Sequence, residues 1–382
     1  MRAVTYRVYS DLSLNLSTSL KQTSSVSRRL IGAYEHRPKN AFTKNGCTCT
    51  RLLTTMRKRC AAESLASDLD NPEAIFQRLT DPTQLVDALM KRTLEMMTNS
   101  SSEINDDHHH VVAFSGGVDS SMVAYLLQNN SEPLKVRAIL GLSPAVSSDQ
   151  VEMACHIAND VIGIPFTSVQ TDEGSDPLYI ENTGRACYVC KTHLYRTLDA
   201  IVREANKENK SYVNSITLYN GTNADDLKDA TRVGLLAAQE AKVLSPLSII
   251  TKEQVRIAAK HVGLPNHNAA ASPCLRSRLA MGVKATQQHL EAVELAERHV
   301  RTLLNLPPSM AMRVRMLTNQ RARIELEHIN NDYIAILNNS DIQSIFHELG
   351  FTGGFAGVKA FATGSVATKK GVHVWKEIVD QQ

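Results

Sequence analysis

The chain of 382 residues is 43% hydrophobic and 21% charged, which is typical of a globular protein of two or three domains, and it has no apolar run long enough to span a membrane. Its net charge of +3 is unevenly distributed, because residues 1–60 alone carry twelve Lys or Arg and only two acids. The rest of the chain therefore has a net charge of about −7, which argues against a protein that binds along a nucleic-acid backbone.

Residues 1–60 are rich in Ser and Thr as well as basic, and they contain no long apolar segment. This combination favours an organellar transit peptide, mitochondrial or plastid, over a secretory signal. The alternative is a disordered basic tail on a cytoplasmic enzyme. Cleavage near Cys60 would leave a body that begins near residue 61, so we assign 1–60 to a leader and 61–110 to N-terminal helices and a linker.

The first element predicted in the body is a helix over residues 71–98, with Asn71-Pro72 and Asp81-Pro82 as helix-start signals. A polar stretch follows and ends in three histidines, His108–His110. We interpret the stretch as a linker, and the histidines as a solvated loop tip rather than a metal site.

From Val111 onward, short apolar runs typical of buried strands alternate with helical patterns. This alternation predicts an α/β fold, a doubly wound parallel sheet over residues 111–284, whose ligands bind beyond the carboxyl ends of the strands. The predicted strands are 111–114, 135–142, 166–171, 215–222 and 242–247, and the predicted helices are 120–128, 147–163, 187–205, 231–241 and 251–263. Residues 285–382 predict a smaller α+β domain with a helix over 286–304, strands over 310–317 and 321–327, a helix near 331–349 and a final Gly-rich strand.

The strongest motif is SGGVDSS (115–121), which lies between the first predicted strand and its helix. Its glycines allow successive backbone N–H groups to point at one place. Together with the helix N-terminus and the serine hydroxyls, these groups are expected to bind the pyrophosphate part of ATP. A Walker loop would require Gly-Lys-Ser/Thr, which is absent. Asp119 is suited to an indirect Mg²⁺ contact and is a candidate catalytic residue. The alternative is an ordinary Gly-rich turn. The candidate nucleotide-binding residues here are Ser115, Gly116, Gly117, Asp119, Ser120 and Ser121.

A second polar segment ends the fourth strand at the same edge of the predicted sheet. It adds four candidates to the nucleotide site: Gly221, Asn223, Asp225 and Asp226. The two carboxylates are expected to hold Mg²⁺ or to position the attacked group. The alternative is a helix N-cap with an acidic first turn.

The chain has seven cysteines, an odd number that speaks against a disulfide framework and for thiol chemistry or metal binding. Cys187 and Cys190 are three residues apart at the start of a predicted helix, so their thiols share one face. Arg185 and Lys191 flank the pair and are expected to lower the thiol pKa values. Cys274 lies far along the sequence, again past the carboxyl edge of the sheet.

Two neighbouring thiolates and a distant third suit a [4Fe–4S] cluster with one iron free of protein ligand. The metal-ligating and catalytic candidates are thus Cys187, Cys190 and Cys274. A zinc site would require a fourth ligand, for which His193 is the nearest candidate. Three unrelated buried thiols are the remaining alternative.

The glycine-rich string resembles the PP-loop ATP pyrophosphatases, and the whole set of motifs resembles the LarE-type ATP-dependent sulfur transferases. The similarity runs from about Val111 to Val283, with a weaker continuation to about Ser365. The segments that carry it include AFSGGVDSS (113–121), RACYVCK (185–191), GTNADDL (221–227), TKE (251–253), GLP (263–265) and SPCLRSRL (272–279).

The resemblance implies an enzyme that adenylates a substrate carboxylate, releases pyrophosphate and then inserts sulfur, as in synthesis of the nickel-pincer cofactor. It implies a pyridinium mononucleotide as substrate and a homo-oligomeric assembly, with no membrane partner. Family members with one cysteine sacrifice its sulfur, and members with three carry an iron–sulfur cluster. We therefore expect the cluster type here.

Arg313 and Arg315 match the family's Arg-x-Arg pair, and their alternation puts both guanidiniums on one side of a strand. With Arg276 and Arg278 they are the candidate substrate-binding residues, and the alternative for the strand pair is a solvated sheet face. The family's nearby histidine is replaced by Leu317, and its late Tyr-Arg-Ser-Gly-Ser by Phe361-Ala362-Thr363-Gly364-Ser365. These departures weaken a phosphate subsite and leave the natural substrate open.

Three rival functions remain. A tRNA thiolase also combines a PP-loop with three cysteines, but the acidic body and the lack of an RNA-binding module oppose it. An amide ligase of the NAD or GMP synthetase type would need no thiols. A non-catalytic nucleotide-binding scaffold would use the thiols only to hold a structural metal.

Overall fold

The computed structural model describes residues 76, 78–100, 108–131, 135–209, 215–269, 273–307, 309–338 and 340–362. The predicted leader and the helix-start signal at Asn71-Pro72 lie outside them. Within the described ranges, every helix is too short or too polar to cross a bilayer.

The strands and longer helices follow the predicted order. In chain order they are α1 Pro82–Ser100, β1 His108–Ala113, α2 Val118–Asn130, β2 Val136–Leu142, α3 Ser148–His156, β3 Phe166–Gln170, α4 Pro177–Ile180, α5 Ala186–Asn209, β4 Ser215–Tyr219, α6 Ala224–Lys228, α7 Gly234–Glu240, α8 Lys252–His261, α9 Gln287–Leu303, β5 Met312–Met316, β6 Ala322–Leu326, α10 Asn331–Leu337, α11 Ser340–Glu348 and β7 Phe355–Ala360. A π-helical turn, Ile157–Ile162, continues α3, and 3-10 turns occupy Glu173–Ser175 and Leu275–Arg278. The helix predicted over 71–98 is wrong in its start, because α1 begins at Pro82, and the short helices α4 and α6 were not predicted.

The first sheet is parallel throughout, with strand order β3-β2-β1-β4. Neighbouring residues of β1 belong to two hydrophobic cores on opposite faces of the sheet. Val112 packs with α1, α2, α3 and α8, whereas Val111 packs with α5 and α7. Helices therefore cover both faces of the sheet, which explains why its strands read as continuous apolar runs. The predicted doubly wound α/β fold is confirmed.

The strand predicted over 242–247 is reduced to a single bridge between Leu244 and Tyr219. Leu244 N donates to Leu218 O (2.8 Å), and Asn220 N donates to Leu244 O (3.0 Å). Pro246 then removes a ladder donor, and the Ser245 hydroxyl turns to the side chain of Asn220 (2.7 Å). Pairing ends there.

The second sheet has the order β5-β6-β7, antiparallel between β5 and β6 and parallel between β6 and β7. The helix predicted near 331–349 is two helices, α10 and α11. The core of this sheet also includes Ala145, Tyr179 and Val189, which precede residue 285. A bridge between Leu279 and Met316 joins the segment after Cys274 to β5.

The interpretation of His108–His110 as a solvated loop tip is wrong, because these residues begin β1 and His108 and His110 are buried. His108 Nε2 lies 2.9 Å from Thr217 Oγ1, and His110 Nδ1 lies 3.0 Å from Tyr219 OH. Strand β4 thus offers polar partners that make burial of imidazole tolerable.

Burial lowers the pKa of His110 to about 4, with smaller contributions from His108, His109 and Lys135. A histidine whose pKa is depressed in the folded state does not destabilise the protein above its unfolded-state pKa. As the pH falls from about 6.5 to about 4, the unfolded state takes up the proton first, so the free energy of unfolding decreases. We expect a loss of about 3 kcal/mol over that window. Urea unfolding at several pH values should show that His110→Gln loses most of this dependence and that exposed His347→Gln keeps it. An unchanged dependence in His110→Gln would contradict this assignment.

Candidate active site

The glycine-rich loop connects β1 to α2 and lies against α3. Gly116 has a φ of +73°, and a Cβ there would lie 2.9 Å from the Cα of Ala154. Gly117 is the N-cap of α2 and is extended. The left-handed turn and the close approach both require glycine at 116. The first N–H groups of α2 are therefore presented at the mouth of the loop, where an anion can bind.

The predicted serines support the loop from two sides. Ser115 N donates to Ser120 Oγ (3.2 Å), and Ser120 Oγ donates to Gly117 O (3.0 Å). Ser121 is fully buried, and its hydroxyl accepts from Asn266 Nδ2 (3.0 Å). Asn266 Nδ2 also donates to Gly116 O (2.8 Å). Asn266 was missed by the sequence analysis, and its signal is its place just after Gly263-Leu264-Pro265.

The second predicted segment lies directly against the first. A Cβ on Gly221 would lie 2.6 Å from Asp119 Cβ and 2.8 Å from Ser120 N. Asn223 caps α6 in a reciprocal capping box with Asp226, and its Nδ2 donates to Asp119 Oδ1 (3.3 Å). The two predicted nucleotide segments thus form one site.

The carboxylates of this site have cationic partners. Asp119 forms an ion pair with Lys252, and Asp226 lies 2.8 Å from Arg232. Asp225 accepts from the backbone N of Lys252 (2.8 Å). Burial raises the pKa of Asp226, although Arg232 opposes the shift. Lys252 lies in the TKE segment of the resemblance, but nothing in the sequence singles it out as a site residue, because its partner Asp119 is 133 positions away.

Cys187 and Cys190 lie at the start of α5, and Cys274 is related to them by packing and electrostatics. Cys190 and Cys274 pack against the same hydrophobic core, and Cys187 Sγ accepts from Arg276 Nη2 (3.0 Å). Cys187 and Cys274 also act electrostatically on the Cys190 thiol, where both raise its pKa. Leu275 N donates to Ala145 O (2.8 Å), which ties the Cys274 segment to the loop after β2.

His193 does not complete a zinc site with these thiols. Its Nδ1 lies 2.5 Å from Asp172 Oδ1 and its Nε2 lies 3.2 Å from Asp176 Oδ2, so both ring nitrogens face carboxylates. Burial lowers its pKa, but Asp172 and Asp176 together raise it above the ordinary value. Across the described residues, no three His, Cys, Asp or Glu side chains are arranged to hold one metal ion.

The expectation that flanking cations lower the thiol pKa is wrong for Cys190. Burial raises the pKa of Cys190, Glu173 adds to the rise, and Lys191 offsets only part of it. Glu173 is 2% exposed. Its Oε1 accepts from Cys190 Sγ at 3.5 Å, while its Oε2 has no hydrogen-bond partner among the described residues. One buried carboxylate oxygen of Glu173 is thus unpaired among the described residues, beside the Cys190 thiol.

The four predicted substrate arginines divide into two groups. Arg276 faces the thiols and donates to Asn182 Oδ1 (2.7 Å). Arg313 and Arg315 are only 5% and 6% exposed, so the alternative of a solvated sheet face is wrong. Burial lowers the pKa of Arg313, and nearby Arg278 and Arg315 lower it further, which places these three cations together.

Each buried arginine has fixed partners. Arg315 Nε lies 2.6 Å from Glu325 Oε1 and its Nη1 donates to Ser277 O (2.9 Å). Arg278 Nε lies 3.0 Å from Glu297 Oε1, and its Nη1 donates to Cys274 O (3.2 Å). The guanidinium carbon of Arg313 lies 4.4 Å from the ring centre of Phe361, one of the positions that depart from the family's pattern.

Comparison with known proteins found several curated relatives, whereas no family model matches the chain. An uncharacterized protein of Synechocystis sp. is 35% identical over 244 residues, 63% of this chain and 85% of the relative. The pyridinium-3,5-bisthiocarboxylic acid mononucleotide synthase of Lactiplantibacillus plantarum is 30% identical over 239 residues, 61% of this chain and 81% of the relative. The tRNA-specific 2-thiouridylase MnmA of Desulforamulus reducens is 29% identical over 195 residues, 42% of this chain and 52% of the relative.

The approach of Gly221 to α2 gives a direct test of the site's geometry. In Gly221→Ala the new Cβ must push the first turn of α2 away, so we expect a loss of about 1–3 kcal/mol in the free energy of unfolding, as for other overpacked sites, together with weaker ATP binding. Urea denaturation and ATP titration measure the two effects. Gly174→Ala is the matched control, because the nearest atom to its added Cβ is 4.0 Å away. Normal ATP affinity in Gly221→Ala would refute this picture.

Proposed function

The chain belongs to the LarE-type family of PP-loop enzymes, and on that premise we propose that it adenylates a substrate carboxylate with ATP and then replaces the AMP with sulfur. The similarity to the Lactiplantibacillus plantarum synthase and to MnmA supports ATP-dependent sulfur transfer as the general activity. The carboxylate as acceptor and the order of the two steps are our proposal.

One observation carries the proposal: the nucleotide segments and the thiols lie on the same edge of one sheet. The glycine-rich loop follows β1, and Gly221 follows β4. Glu173 and the cysteine helix follow β3, and the Cys274 segment is tied to the loop after β2. In the strand order β3-β2-β1-β4, the strands that precede the thiol-bearing segments are neighbours of the strands that precede the nucleotide segments. This arrangement supports transfer of an acyl-adenylate from the nucleotide segments to the thiols.

In the first step, a carboxylate oxygen of the substrate attacks the α-phosphorus of ATP, and the bond to the β-phosphate oxygen breaks with pyrophosphate leaving. The N–H groups at the start of α2 stabilise the negative charge on the phosphates. We propose that Asp119 would hold the Mg²⁺ ion that arrives with ATP. Asp225 and Asp226 would offer further carboxylate oxygens to that ion.

In the second step, a sulfur nucleophile attacks the acyl carbon, and AMP leaves with the electron pair of the carbon–oxygen bond. We propose that Cys187, Cys190 and Cys274 would hold a [4Fe–4S] cluster, each on a different iron. Two observations support this: Arg276 donates to Cys187 Sγ, and Cys187 and Cys274 both act electrostatically on the Cys190 thiol. When bound, such a cluster supplies an iron without a protein ligand, on which sulfide can be held. Arg276 balances the negative charge of the thiolates.

The buried arginines support a substrate that carries phosphate. Three guanidinium groups lie together beside two carboxylates, which leaves a net positive charge that suits an anionic group. The guanidinium groups are those of Arg278, Arg313 and Arg315, and the carboxylates are those of Glu297 and Glu325. We propose a small carboxylate, of the pyridinium mononucleotide class, as the acceptor, and a homo-oligomer as the assembly. The basic, acid-poor residues 1–60 support our proposal of a mitochondrial or plastid location.

A tRNA thiolase is the second candidate, because the match to MnmA covers 42% of this chain. The acidic body opposes it, since tRNA binding requires clustered cations. A gel shift with total tRNA at moderate salt separates the two functions, and we expect no shift at the protein concentrations that give full adenylation activity.

Asp119 and Cys274 should separate the two steps. Asp119→Ala should lower the exchange of labelled pyrophosphate into ATP, in the presence of the acceptor, by about 10²–10³-fold while the protein stays folded. Cys274→Ala should leave that exchange intact and stop sulfur transfer, followed by mass spectrometry of the acceptor. Asp160→Asn, an exposed substitution, is the control. Sulfur transfer that survives in Cys274→Ala would refute the role of this thiol.

Iron content tests the cluster independently of activity. Protein purified without oxygen should be brown and contain about four irons per chain, and Cys187→Ala, Cys190→Ala and Cys274→Ala should each lose most of it. Cys155→Ala is the matched control, since this exposed cysteine lies on α3, apart from the three thiols. Iron-free protein with full activity would contradict the cluster hypothesis. It would favour a mechanism in which Cys274 gives up its own sulfur.

A further inference from the structure

The glycine-rich loop has no cation of its own. Residues Ser115–Ser121 contain neither Lys nor Arg, and their one charged side chain is the acid Asp119. The triphosphate of ATP carries several negative charges, which helix N–H groups stabilise only in part. A cation from elsewhere in the fold must therefore help to hold it.

Lys252 is placed to supply that charge. It is the first residue of α8, after the N-cap Thr251, whose capping box with Gln254 sets the start of the helix. Its backbone N donates to Asp225 Oδ2 (2.8 Å), and its ammonium forms the ion pair with Asp119. The backbone of Lys252 is thus fixed by the helix cap and by Asp225, while its side chain is held by the single ion pair with Asp119 that the structure shows.

The ion pair between Lys252 and Asp119 is accessible at the mouth of the loop. The Lys252 side chain is 33% exposed and that of Asp119 is 24% exposed, so an incoming phosphate can reach both. A partly exposed ion pair is weak and easily exchanged. The neighbouring cations Arg232 and Lys228 pair instead with Asp226 and Asp225.

We propose that Lys252 is the phosphate-binding cation of this site and that it exchanges partners when nucleotide binds. Before binding, Lys252 neutralises Asp119. When ATP arrives with Mg²⁺, the metal ion takes over Asp119 and the ammonium turns to the β- and γ-phosphates. It stays with them as the bond to the α-phosphorus breaks, and so balances the charge on departing pyrophosphate. This inference rests on the proposed use of ATP.

The test is calorimetric titration of pyrophosphate, with Mg²⁺ and with a chelator, into folded wild type and variants. Lys252→Met should weaken Mg²⁺-pyrophosphate binding by at least about tenfold, the usual effect of losing a charge-assisted contact, and Lys252→Arg should restore part of it. Asp119→Asn should bind metal-free pyrophosphate more tightly than wild type, because Lys252 is released. The double variant should lose that gain. Lys260→Met, an exposed change on the same helix, is the control.

Wild-type affinity in Lys252→Met, or no gain of metal-free binding in Asp119→Asn, would overturn the exchange of partners. Exchange of labelled pyrophosphate into ATP, measured in parallel, separates this inference from the proposed function. If pyrophosphate binding depends on Lys252 but the wild type exchanges no labelled pyrophosphate into ATP, adenylation is refuted and the role of Lys252 in phosphate binding stands. Exchange that is present and unaffected in Lys252→Met would refute only the role of Lys252. Wild type that binds no pyrophosphate would refute both.

Discussion

The candidate site depends on one close backbone approach, that of Gly221 at the end of β4 to the first turn of α2. Because no side chain separates them, Asn223 reaches Asp119, and the helix that follows Asn223 places Asp225 against the backbone of Lys252. The segments that follow β1 and β4 are thereby joined around the N-terminal end of one helix. The positive helix end, the acids and the lysine then act on the same small volume.

A second constraint joins Cys274 to two of the candidate substrate arginines. The short segment from Cys274 to Ala280 is tied to the first sheet through Leu275 and to the second through the bridge from Leu279 to Met316. Within it, Arg276 faces the thiols, and Arg278 joins the buried arginines of β5. Cys274 and two of the candidate substrate arginines thus belong to one short segment that is fixed to both sheets, so a shift of one would move the others.

Much of this arrangement was predictable, because apolar periodicity reports burial and glycine-rich turns report backbone shape. The sequence could not reveal contacts made by polar side chains across the fold. His108 and His110 read as loop residues because their partners, Thr217 and Tyr219, lie on a strand more than a hundred positions away. The raised pKa of Cys190 likewise comes from burial and from Glu173, not from its neighbours in the chain. The role of Lys252 was not predictable either, because its partner Asp119 is also distant in the sequence.

The core under the second sheet draws Tyr179 and Val189 from the first part of the chain and Val314 and Phe346 from the last. A body with such a shared interior is expected to melt in one cooperative transition rather than domain by domain. Slow amide exchange should then extend across residue 285 without a break. Residues 312–351 therefore support the segment that carries Cys190 through this shared core, and a change in β5 or α11 would be transmitted to Cys190 through packing alone.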